Sequence, residues 1–297
     1  MCKKSHHMRI GIIGTGLLGN AVGLHILKSG HELTVYNRTK SKTAELERGG
    51  AVVVDSAKQV AEKSEIIFVV VKNADAVRKV AFGESCISCG GRDGMVVADM
   101  STINPIDSKE IASEFQKKGI TYLGTPVMGG PNVAITGQLV MMVDGDRGTY
   151  ERYRSIFETV ASKVFYLGES GTAHAIKLAM NLQIAMLALA LSEGITLARS
   201  ASIDPKTFLE ILNSTYFKTG MSETKAYKMI DGSFEPTFTL RNLKKDLDTI
   251  NEAAKAFGIK LPMSTKANEV YQKAVDEGFG DIDYTGILKY LMESARE

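Results

Sequence analysis

The chain has few cysteines, no tryptophan and almost no excess of one charge. Three cysteines among 297 residues are too few, and an odd number, for a disulfide-rich secreted scaffold, so the composition favours a reducing cytoplasm. The 36 basic and 34 acidic residues give a net charge of +2, which indicates no basic surface for nucleic acid. We therefore expect a cytoplasmic globular protein without a nucleic-acid partner.

Two of the cysteines, Cys86 and Cys89, form a Cys-x-x-Cys pair. Such a pair is either a redox couple or half of a zinc site, and a zinc site needs a second pair with ligand spacing. The sequence has no second pair and only five histidines. We interpret Cys86 and Cys89 as two thiols in a loop or at a helix end, and we predict no metal site.

The sequence shows neither a secretion signal nor a clear membrane span. The first seven residues contain no apolar segment, which makes Met8 a candidate functional start. The most apolar long stretch, residues 175–198, carries Lys177, Asn181 and Glu193, which are costly in lipid. We expect a buried helix of a soluble protein there, and no membrane partner.

The two halves of the chain differ in the rhythm of their apolar residues. Up to about Gly168, short β-branched runs alternate with helical segments, which predicts a doubly wound parallel sheet of the Rossmann type. The predicted strands are 9–13, 32–36, 66–71, 95–99, 121–124, 139–143 and 163–166. Helices are predicted between them, for example at 18–29, 40–48 and 107–118.

After Gly168 the strand signal stops and long segments with a 3.6-residue period follow. The predicted helices are 170–199, 205–212, 239–257, 262–277 and 284–295. Pro205 and Pro262 mark helix starts, since proline suits the first helical turn. We predict an α/β domain at 8–168 and an all-helical domain at 169–297, with ligands bound in a crevice at the carboxyl ends of the strands.

A Gly-x-Gly-x-x-Gly motif follows the first strand and opens the first helix. Gly14 would make the tight turn, Gly16 would let the backbone approach a pyrophosphate, and Gly19 would let helix and strand pack closely. Three glycines alone can be a plain tight turn. The flanking strand and helix, and a second strand at the expected distance, favour dinucleotide binding instead.

The end of the second strand indicates which dinucleotide is bound. An NAD enzyme usually has Asp or Glu here, which binds the ribose hydroxyls and repels a 2′-phosphate. This chain has Asn37, Arg38 and Thr39, and a guanidinium and a hydroxyl are suited to a phosphate. The alternative is a solvated loop with Arg38 pointing outward. We favour NADP, with NAD less favoured.

Five ordered motifs together are similar to the β-hydroxyacid dehydrogenase family, which includes 3-hydroxyisobutyrate dehydrogenases, tartronate semialdehyde reductases and glyoxylate/succinic semialdehyde reductases. The similarity extends from Arg9 to about Leu291. The motifs are Gly11-Ile12-Ile13-Gly14-Thr15-Gly16-Leu17-Leu18-Gly19, Asp99-Met100-Ser101-Thr102-Ile103-Asn104-Pro105, Thr125-Pro126-Val127-Met128-Gly129-Gly130 with Ala134 and Gly137, Gly168-Glu169-Ser170-Gly171 leading to Lys177 and Asn181, and Phe238-Thr239-Leu240 leading to Lys245-Asp246-Leu247.

The resemblance implies that Lys177 is the catalytic acid and base, and that Asn181 holds the reacting oxygen or orients the ammonium. The two residues are four apart on a predicted helix and so share one face. A lysine serves near neutral pH if partial burial lowers its pKa. The alternative is a surface lysine with an unrelated asparagine, since most helix lysines are solvated.

The resemblance also implies a substrate site and further cofactor contacts. Ser101, Gly129 and Gly130 would bind the substrate, with the glycines offering backbone N–H groups to a carboxylate. The alternatives are a helix cap at Ser101 and Thr102 and a plain turn at the glycines. The family usually has a carboxylate-binding serine where this chain has Met128, a weak acceptor. The remaining predicted cofactor residues are Thr15, Leu17, Leu18, Val71, Lys72, Thr102, Phe238 and Lys245.

Some of these residues could instead have a purely structural role or lie in solvent. Phe238 suits a helical core as well as a nicotinamide ring, and Lys72 suits solvent. Asp246 would fix Lys245, whereas Lys244 would be solvated.

The helix after Asn181 is apolar on nearly every face and needs cover on all sides, so we predict a homodimer or homotetramer.

The predicted reaction interconverts a small carbonyl acid, such as glyoxylate or succinic semialdehyde, with its hydroxy acid. Two alternatives remain. One is an imine reductase on the same fold, for which Met128 leaves room although Lys177 is retained. The other is a catalytically silent NADP-binding protein. Neither the substrate nor the physiological direction follows from the sequence.

Overall fold

The computed structural model describes residues 7–294, so the predicted first segment and the predicted helix end at residue 295 lie outside the described residues. One compact unit ends at Lys177 and a second begins at Leu178. The domain boundary predicted at 168/169 stays a prediction. The strands, all in the first unit, are β1 Arg9–Ile13, β2 Glu32–Tyr36, β3 Val52–Val53, β4 Ile66–Val69, β5 Val96–Asp99, β6 Thr121–Gly124, β7 Val127–Met128, β8 Leu139–Gly145 and β9 Ala161–Tyr166.

The strands form one mixed sheet in the order β3-β2-β1-β4-β5-β6-β8-β7, and β9 pairs with β8. From β3 to β6 all neighbours are parallel, whereas β8 runs antiparallel to both β6 and β7. The Rossmann-type prediction is confirmed for the first six strands. The sequence did not indicate the antiparallel β8 or the two-residue strands β3 and β7.

Both faces of the parallel sheet are buried. On β4, Ile66 and Phe68 join the apolar core on one face, while Ile67 and Val69 join a second core on the other. A strand that is apolar on both sides is typical of a sheet covered by helices on both faces. The helices that begin in this unit are α1 Leu17–Lys28, α2 Ala44–Arg48, α3 Ala57–Lys63, α4 Ala74–Phe82, α5 Ile87–Gly90, α6 Pro105–Gln116, α7 Pro131–Ala134, α8 Arg147–Val160 and α9 Thr172–Ser200.

The second unit is built of helices and connecting loops, with no strand among its described residues. Its core joins Leu178, Ala185 and Ala188 of α9 to a row of leucines on α13, such as Leu243 and Leu247, spaced as a helix face requires. The predicted starts at Pro205 and Pro262 are confirmed. Its helices are α10 Pro205–Asn213, α11 Gly220–Thr224, α12 Ala226–Ile230, α13 Leu240–Ala256, α14 Pro262–Ala274 and α15 Ile287–Ser294, with a π turn at Val275–Phe279 and a 3-10 turn at Tyr284–Gly286.

Helix α9 has 29 residues and a mean hydropathy of 1.6 over its most apolar window. It is the one helix in residues 7–294 that could cross a membrane by length and composition, a test that core helices of soluble proteins also pass. Only 33% of that window is buried within the chain, so the predicted burial is partial. Apolar side chains along its exposed side include Met180, Leu187 and Leu197.

The prediction of two separate thiols is wrong. Cys86 and Cys89 are joined by a disulfide, with Cα atoms 5.2 Å apart. Cys86 precedes the short helix α5, and residues three apart on a helical turn lie on one side of it, which brings the two sulfurs together. Cys86 is buried and Cys89 is exposed.

Candidate active site

The turn after β1 has the geometry that the glycine motif predicts. Gly14 has a φ of +99°, and a Cβ there would lie 2.2 Å from the Val70 carbonyl oxygen. A Cβ on Gly19 would lie 2.0 Å from the Gly14 carbonyl oxygen. Both positions therefore require glycine, because the turn packs directly on β4 and on the first turn of α1.

Gly16 is different, because its space is open. No atom lies within 4 Å of a Cβ built there, and Gly16 is the N-cap of α1, whose first turn has no acidic residue. A positive helix end beneath an open backbone fits the pyrophosphate of a dinucleotide. Leu17, which is 65% exposed, and the half-buried Leu18 follow at the start of the same helix.

Asn37 organises the loop after β2. Its Oδ1 accepts a hydrogen bond from the Thr15 N–H at 3.0 Å, and its Nδ2 donates to the Thr39 carbonyl at 2.8 Å. The Thr15 hydroxyl donates to the Lys42 carbonyl at 2.9 Å. Thr15 and Asn37 therefore shape the loop, and the exposed side chains next to the glycine turn are Arg38 and Thr39.

Ser101 connects the ends of β4 and β5. Its hydroxyl accepts a hydrogen bond from the Val71 N–H at 3.1 Å, and its own N–H donates to Asp99 Oδ1 at 2.9 Å. Ser101 is buried, Thr102 is half-buried and Lys72 is exposed. The cap of α6 is Asn104, which accepts from the Ile106 N–H, so neither Ser101 nor Thr102 is needed as a helix cap.

Lys177 lies half-buried on the second turn of α9. Its Nζ donates to the Val127 carbonyl at 2.7 Å and lies 3.4 Å from the sulfur of Met128. The residue that departs from the family pattern therefore contacts the predicted catalytic ammonium. Gly129 follows with a φ of +113°, and Gly130 has no atom within 4 Å of a built Cβ, so its backbone is open to a ligand.

In the second unit, Asn181 is fixed by Asp246. Asn181 Nδ2 donates to Asp246 Oδ2 at 2.7 Å, and the Lys245 Nζ pairs with Asp246 Oδ1 at 2.6 Å. Asn181 is buried, and its Oδ1 accepts no hydrogen bond from any residue between 7 and 294. The amide is thus held in one orientation, with a buried Oδ1 that has no partner among the described residues.

Two neighbouring residues are explained by local contacts. Lys244 pairs with Asp248 at 2.8 Å on the same helix, so it is ion-paired and not simply solvated. The Phe238 ring packs edge-on against Tyr284, with centroids 6.0 Å apart, and lies against the core of the second unit. The contacts of Phe238 thus match its core interpretation.

A cluster of buried polar residues was not predicted as part of the site. Asp99, Tyr122, Asp144 and His174 are all buried in the first unit. Burial raises the pKa of both Asp99 and Asp144 to about 6, and it lowers the pKa of His174 to about 3. Only Asp99, which belongs to a quoted motif, had a sequence signal.

A glycine turn at a helix N-terminus, a serine at a strand end and a half-buried lysine define a nicotinamide-dependent oxidoreductase. The comparisons with known proteins agree. Residues 9–168 match the NAD binding domain of 6-phosphogluconate dehydrogenase, and residues 171–291 match the NAD-binding domain of NADP-dependent 3-hydroxyisobutyrate dehydrogenase. The chain belongs to the β-hydroxyacid dehydrogenase family.

Two relatives cover nearly the whole chain. It is 32% identical to 2-hydroxy-3-oxopropionate reductase of Escherichia coli, over 96% of this chain and 97% of that protein. It is 30% identical to glyoxylate/succinic semialdehyde reductase 1 of Arabidopsis thaliana, over 95% of this chain and 98% of that protein.

Two solved structures show how far the fold is shared. The 3-hydroxyisobutyrate dehydrogenase of Salmonella typhimurium matches with a TM-score of 0.86 and 25% identity, over 95% of this chain and 99% of that one. An imine reductase of Myxococcus stipitatus in complex with NADP+ matches with a TM-score of 0.66 and 20% identity, over 95% and 99%. The second likeness concerns the fold alone.

Proposed function

We propose that this chain reduces a small aldehyde or keto acid, of the size of glyoxylate or succinic semialdehyde, to its hydroxy acid with NADPH. The observation that carries the proposal is the Lys177 ammonium, held by the Val127 carbonyl close to Gly130, which has open space beside its Cα. Asn181 stands one helical turn further along α9. The names of the relatives support the same class of reaction.

Lys177 would supply the proton. A bound reduced nicotinamide supplies a hydride to a carbonyl carbon. Negative charge then develops on the carbonyl oxygen, and the Lys177 Nζ neutralises it by donating a proton. The Val127 carbonyl accepts a hydrogen bond from the ammonium and so directs it, and Asn181 keeps the supporting role that the family resemblance implies.

The substrate carboxylate would bind to backbone groups. Gly130 has open space beside its Cα, and its N–H would be the donor, whereas Met128 offers a thioether and no donor. A carboxylate held without a serine hydroxyl loses one hydrogen bond, so we expect this chain to tolerate substrates with a weaker or more distant acid group.

NADP would be preferred through Arg38 and Thr39. Both side chains are exposed beside the open end of α1, and Asn37 is held by two hydrogen bonds within the loop. An aspartate at position 37 could not donate to the Thr39 carbonyl and would repel a 2′-phosphate.

A substrate screen tests the proposed function. NADPH oxidation is measured with glyoxylate, succinic semialdehyde, 2-hydroxy-3-oxopropionate and a cyclic imine, with Lys177→Ala as the matched inactive control. We expect turnover with at least one of the acids and little with the imine. Turnover with the imine alone would favour imine reduction, for which the fold similarity and Met128 are the reasons to include it. NADPH binding without any turnover would indicate a silent binding protein.

We also propose that a second copy of this chain covers the exposed side of α9. Met180, Leu187 and Leu197 are 41%, 38% and 71% exposed along that side. An apolar stripe of this length on a long helix is typical of an interface, and a homodimer or homotetramer would bury it. Light scattering should report at least twice the 32.2 kDa of one chain. A monomer at micromolar concentration would contradict the proposal, and Leu187→Glu should weaken the assembly.

A further inference from the structure

We propose that Tyr122 is a positioning residue. Its hydrogen bonds to Asp99 and His174, together called the tie, connect the first turn of α9, and so Lys177, to the strand end that carries Ser101. The proposal rests on the proposed function for its catalytic consequence, and on contacts within the first unit for its geometry.

One side of the tie runs from Tyr122 to Ser101. The Tyr122 hydroxyl donates to Asp99 Oδ2 at 2.9 Å, and Asp99 Oδ1 accepts from the Ser101 N–H at 2.9 Å. Ser101 in turn accepts from the Val71 N–H. A single buried carboxylate therefore takes one hydrogen bond from β6 and another from the substrate serine, which fixes the two relative to each other.

The other side of the tie runs from Tyr122 to α9. The Tyr122 oxygen lies 3.4 Å from His174 Nε2, in the first turn of the helix and three residues before Lys177. Because the tyrosine proton is directed to Asp99, the imidazole donates through Nε2–H. Burial lowers the pKa of His174 to about 3, so the ring is neutral and keeps this single proton near neutral pH. The Ser108 hydroxyl also donates to Tyr122, at 3.4 Å.

Asp144 makes a second, parallel connection between β6 and α9. Its Oδ1 accepts from the Gly124 N–H at 3.0 Å and its Oδ2 accepts from the Ala173 N–H at 2.8 Å. A Cβ on Gly124 would lie 2.6 Å from Asp144 Oδ1 and 3.0 Å from the His174 ring, so the strand and the helix approach as closely as glycine allows. Two residues on the same side of β6 are thus connected to two successive residues of α9. Tyr122 contacts His174 directly, and Gly124 is linked to Ala173 through Asp144.

Tyr122→Phe tests the tie, because it removes one oxygen and leaves the ring. We expect kcat with the best carbonyl acid to fall about tenfold, the effect of one hydrogen bond to a charged group, with NADPH affinity unchanged. Hydrogen exchange should become faster at the Ser101 and Ala173 amides together. Tyr153→Phe is the matched control, since Tyr153 is buried on α8 and its hydroxyl contacts Arg152.

Two variants at position 174 provide an independent test if Tyr122→Phe does not fold. His174→Gln keeps an N–H donor and should retain most of the activity. His174→Leu keeps the volume without the donor and should lower kcat, but less than Tyr122→Phe, which also removes the hydrogen bond to Asp99. The double variant Tyr122→Phe, His174→Leu should be no worse than Tyr122→Phe alone, because that variant already removes the contact with His174.

The results distinguish the tie from a general loss of structure and from failure of the proposed function. Unchanged kcat and unchanged exchange in Tyr122→Phe would overturn the positioning role. So would equal losses in kcat and NADPH affinity. If the wild type reduces no carbonyl acid, the proposed function fails, while the paired exchange at Ser101 and Ala173 still decides whether the tie exists.

Discussion

Buried carboxylates in the two units have pKa values that are shifted in opposite directions. In the first unit, Asp99 and Asp144 accept hydrogen bonds from neutral donors, and burial raises the pKa of each to about 6. In the second unit, Asp283 is also buried, though less deeply, and pairs with Lys225 at 3.2 Å. There, the Thr285 hydrogen bond and the lysine charge outweigh burial and lower the pKa of Asp283 below its usual value.

The difference predicts opposite effects of pH on stability. A carboxyl with a raised pKa binds its proton more tightly when folded, so the free energy of unfolding falls as pH rises from about 4 to about 6. A carboxyl with a lowered pKa contributes stability above its unfolded pKa and loses it as pH falls. Burial of the charged form thus costs stability at Asp99 and Asp144, where the hydrogen bonds offset it only in part, whereas at Asp283 the hydrogen bonds and the lysine charge together more than offset it.

The largest expected effect concerns a lysine of the first unit. Lys177→Ala should lower kcat by about 10²–10⁴, the usual contribution of a general acid, with NADPH binding little changed. Lys177→Arg should also fail, because a guanidinium does not release its proton near neutral pH. Steady-state NADPH oxidation and NADPH fluorescence titration measure the two quantities.

Lys244→Ala is the matched control from the second unit, because Lys244 pairs with Asp248 on the same helix and should change kcat little. Full turnover in Lys177→Ala with intact NADPH binding would remove Lys177 from the mechanism.

The next largest effect is expected when Asp283, the buried acid that pairs with Lys225, is removed. Asp283→Ala should lower the free energy of unfolding by about 3–5 kcal/mol at pH 7, because it leaves Lys225 and the Thr285 and Thr237 hydroxyls without their shared acceptor. Urea denaturation followed by far-UV circular dichroism measures the loss. Asp281→Ala, which removes an exposed acid two residues away, should cost under about 1 kcal/mol. Similar losses in the two variants would mean that the buried pair adds no stability.

Asp144→Asn tests the expected effect of a buried carboxyl with a raised pKa. The raised pKa of about 6, against an ordinary 3.8, corresponds to roughly 3 kcal/mol of lost stability above pH 6. The stability of the variant relative to the wild type should therefore increase by up to that amount between pH 4 and pH 7. Asn can accept only one of the two backbone N–H groups, which shifts the whole curve but not its slope. A relative stability that stays constant over this range would contradict the raised pKa.

The smallest effect concerns an exposed charge that acts only on a ligand. Arg38→Ala should reduce kcat/KM for NADPH about tenfold to 150-fold and leave NADH use nearly unchanged, since an ionic contact to phosphate contributes about 1.5–3 kcal/mol. Stability should not change, in contrast with the buried acids. If the wild type uses both cofactors equally well, the NADP preference is wrong.

Much of the fold could be predicted because its signals are local. Regular strands such as β1 and β2 have five residues of consistent pattern, and prolines mark the starts of α10 and α14. The strands β3 and β7 have two residues each, too few to show an alternation. The direction of β8 depends on how the chain turns after β6, which no propensity describes.

The same distinction between local and distant signals applies to the candidate site. The glycine turn, Ser101, Lys177 and Asn181 lie within short motifs that predict site residues, and their roles there stay predictions. His174 and Asp144 were missed because their partners, Tyr122 and Ala173, lie 52 and 29 residues away along the chain. A buried histidine or aspartate with a distant partner has no pattern of its own in one sequence.

The close approach at Gly124 has a consequence for protein engineering. Any side chain added at this position must displace either the Asp144 carboxylate or the His174 ring, so it is closed to enlargement. Tyr122, two residues earlier on the same strand, can lose its hydroxyl with almost no change in volume. Variants on this strand should therefore be made at Tyr122, at the expected cost in kcat, and should leave Gly124 unchanged, because the tyrosine can lose an atom without displacing a neighbour and the glycine cannot gain one.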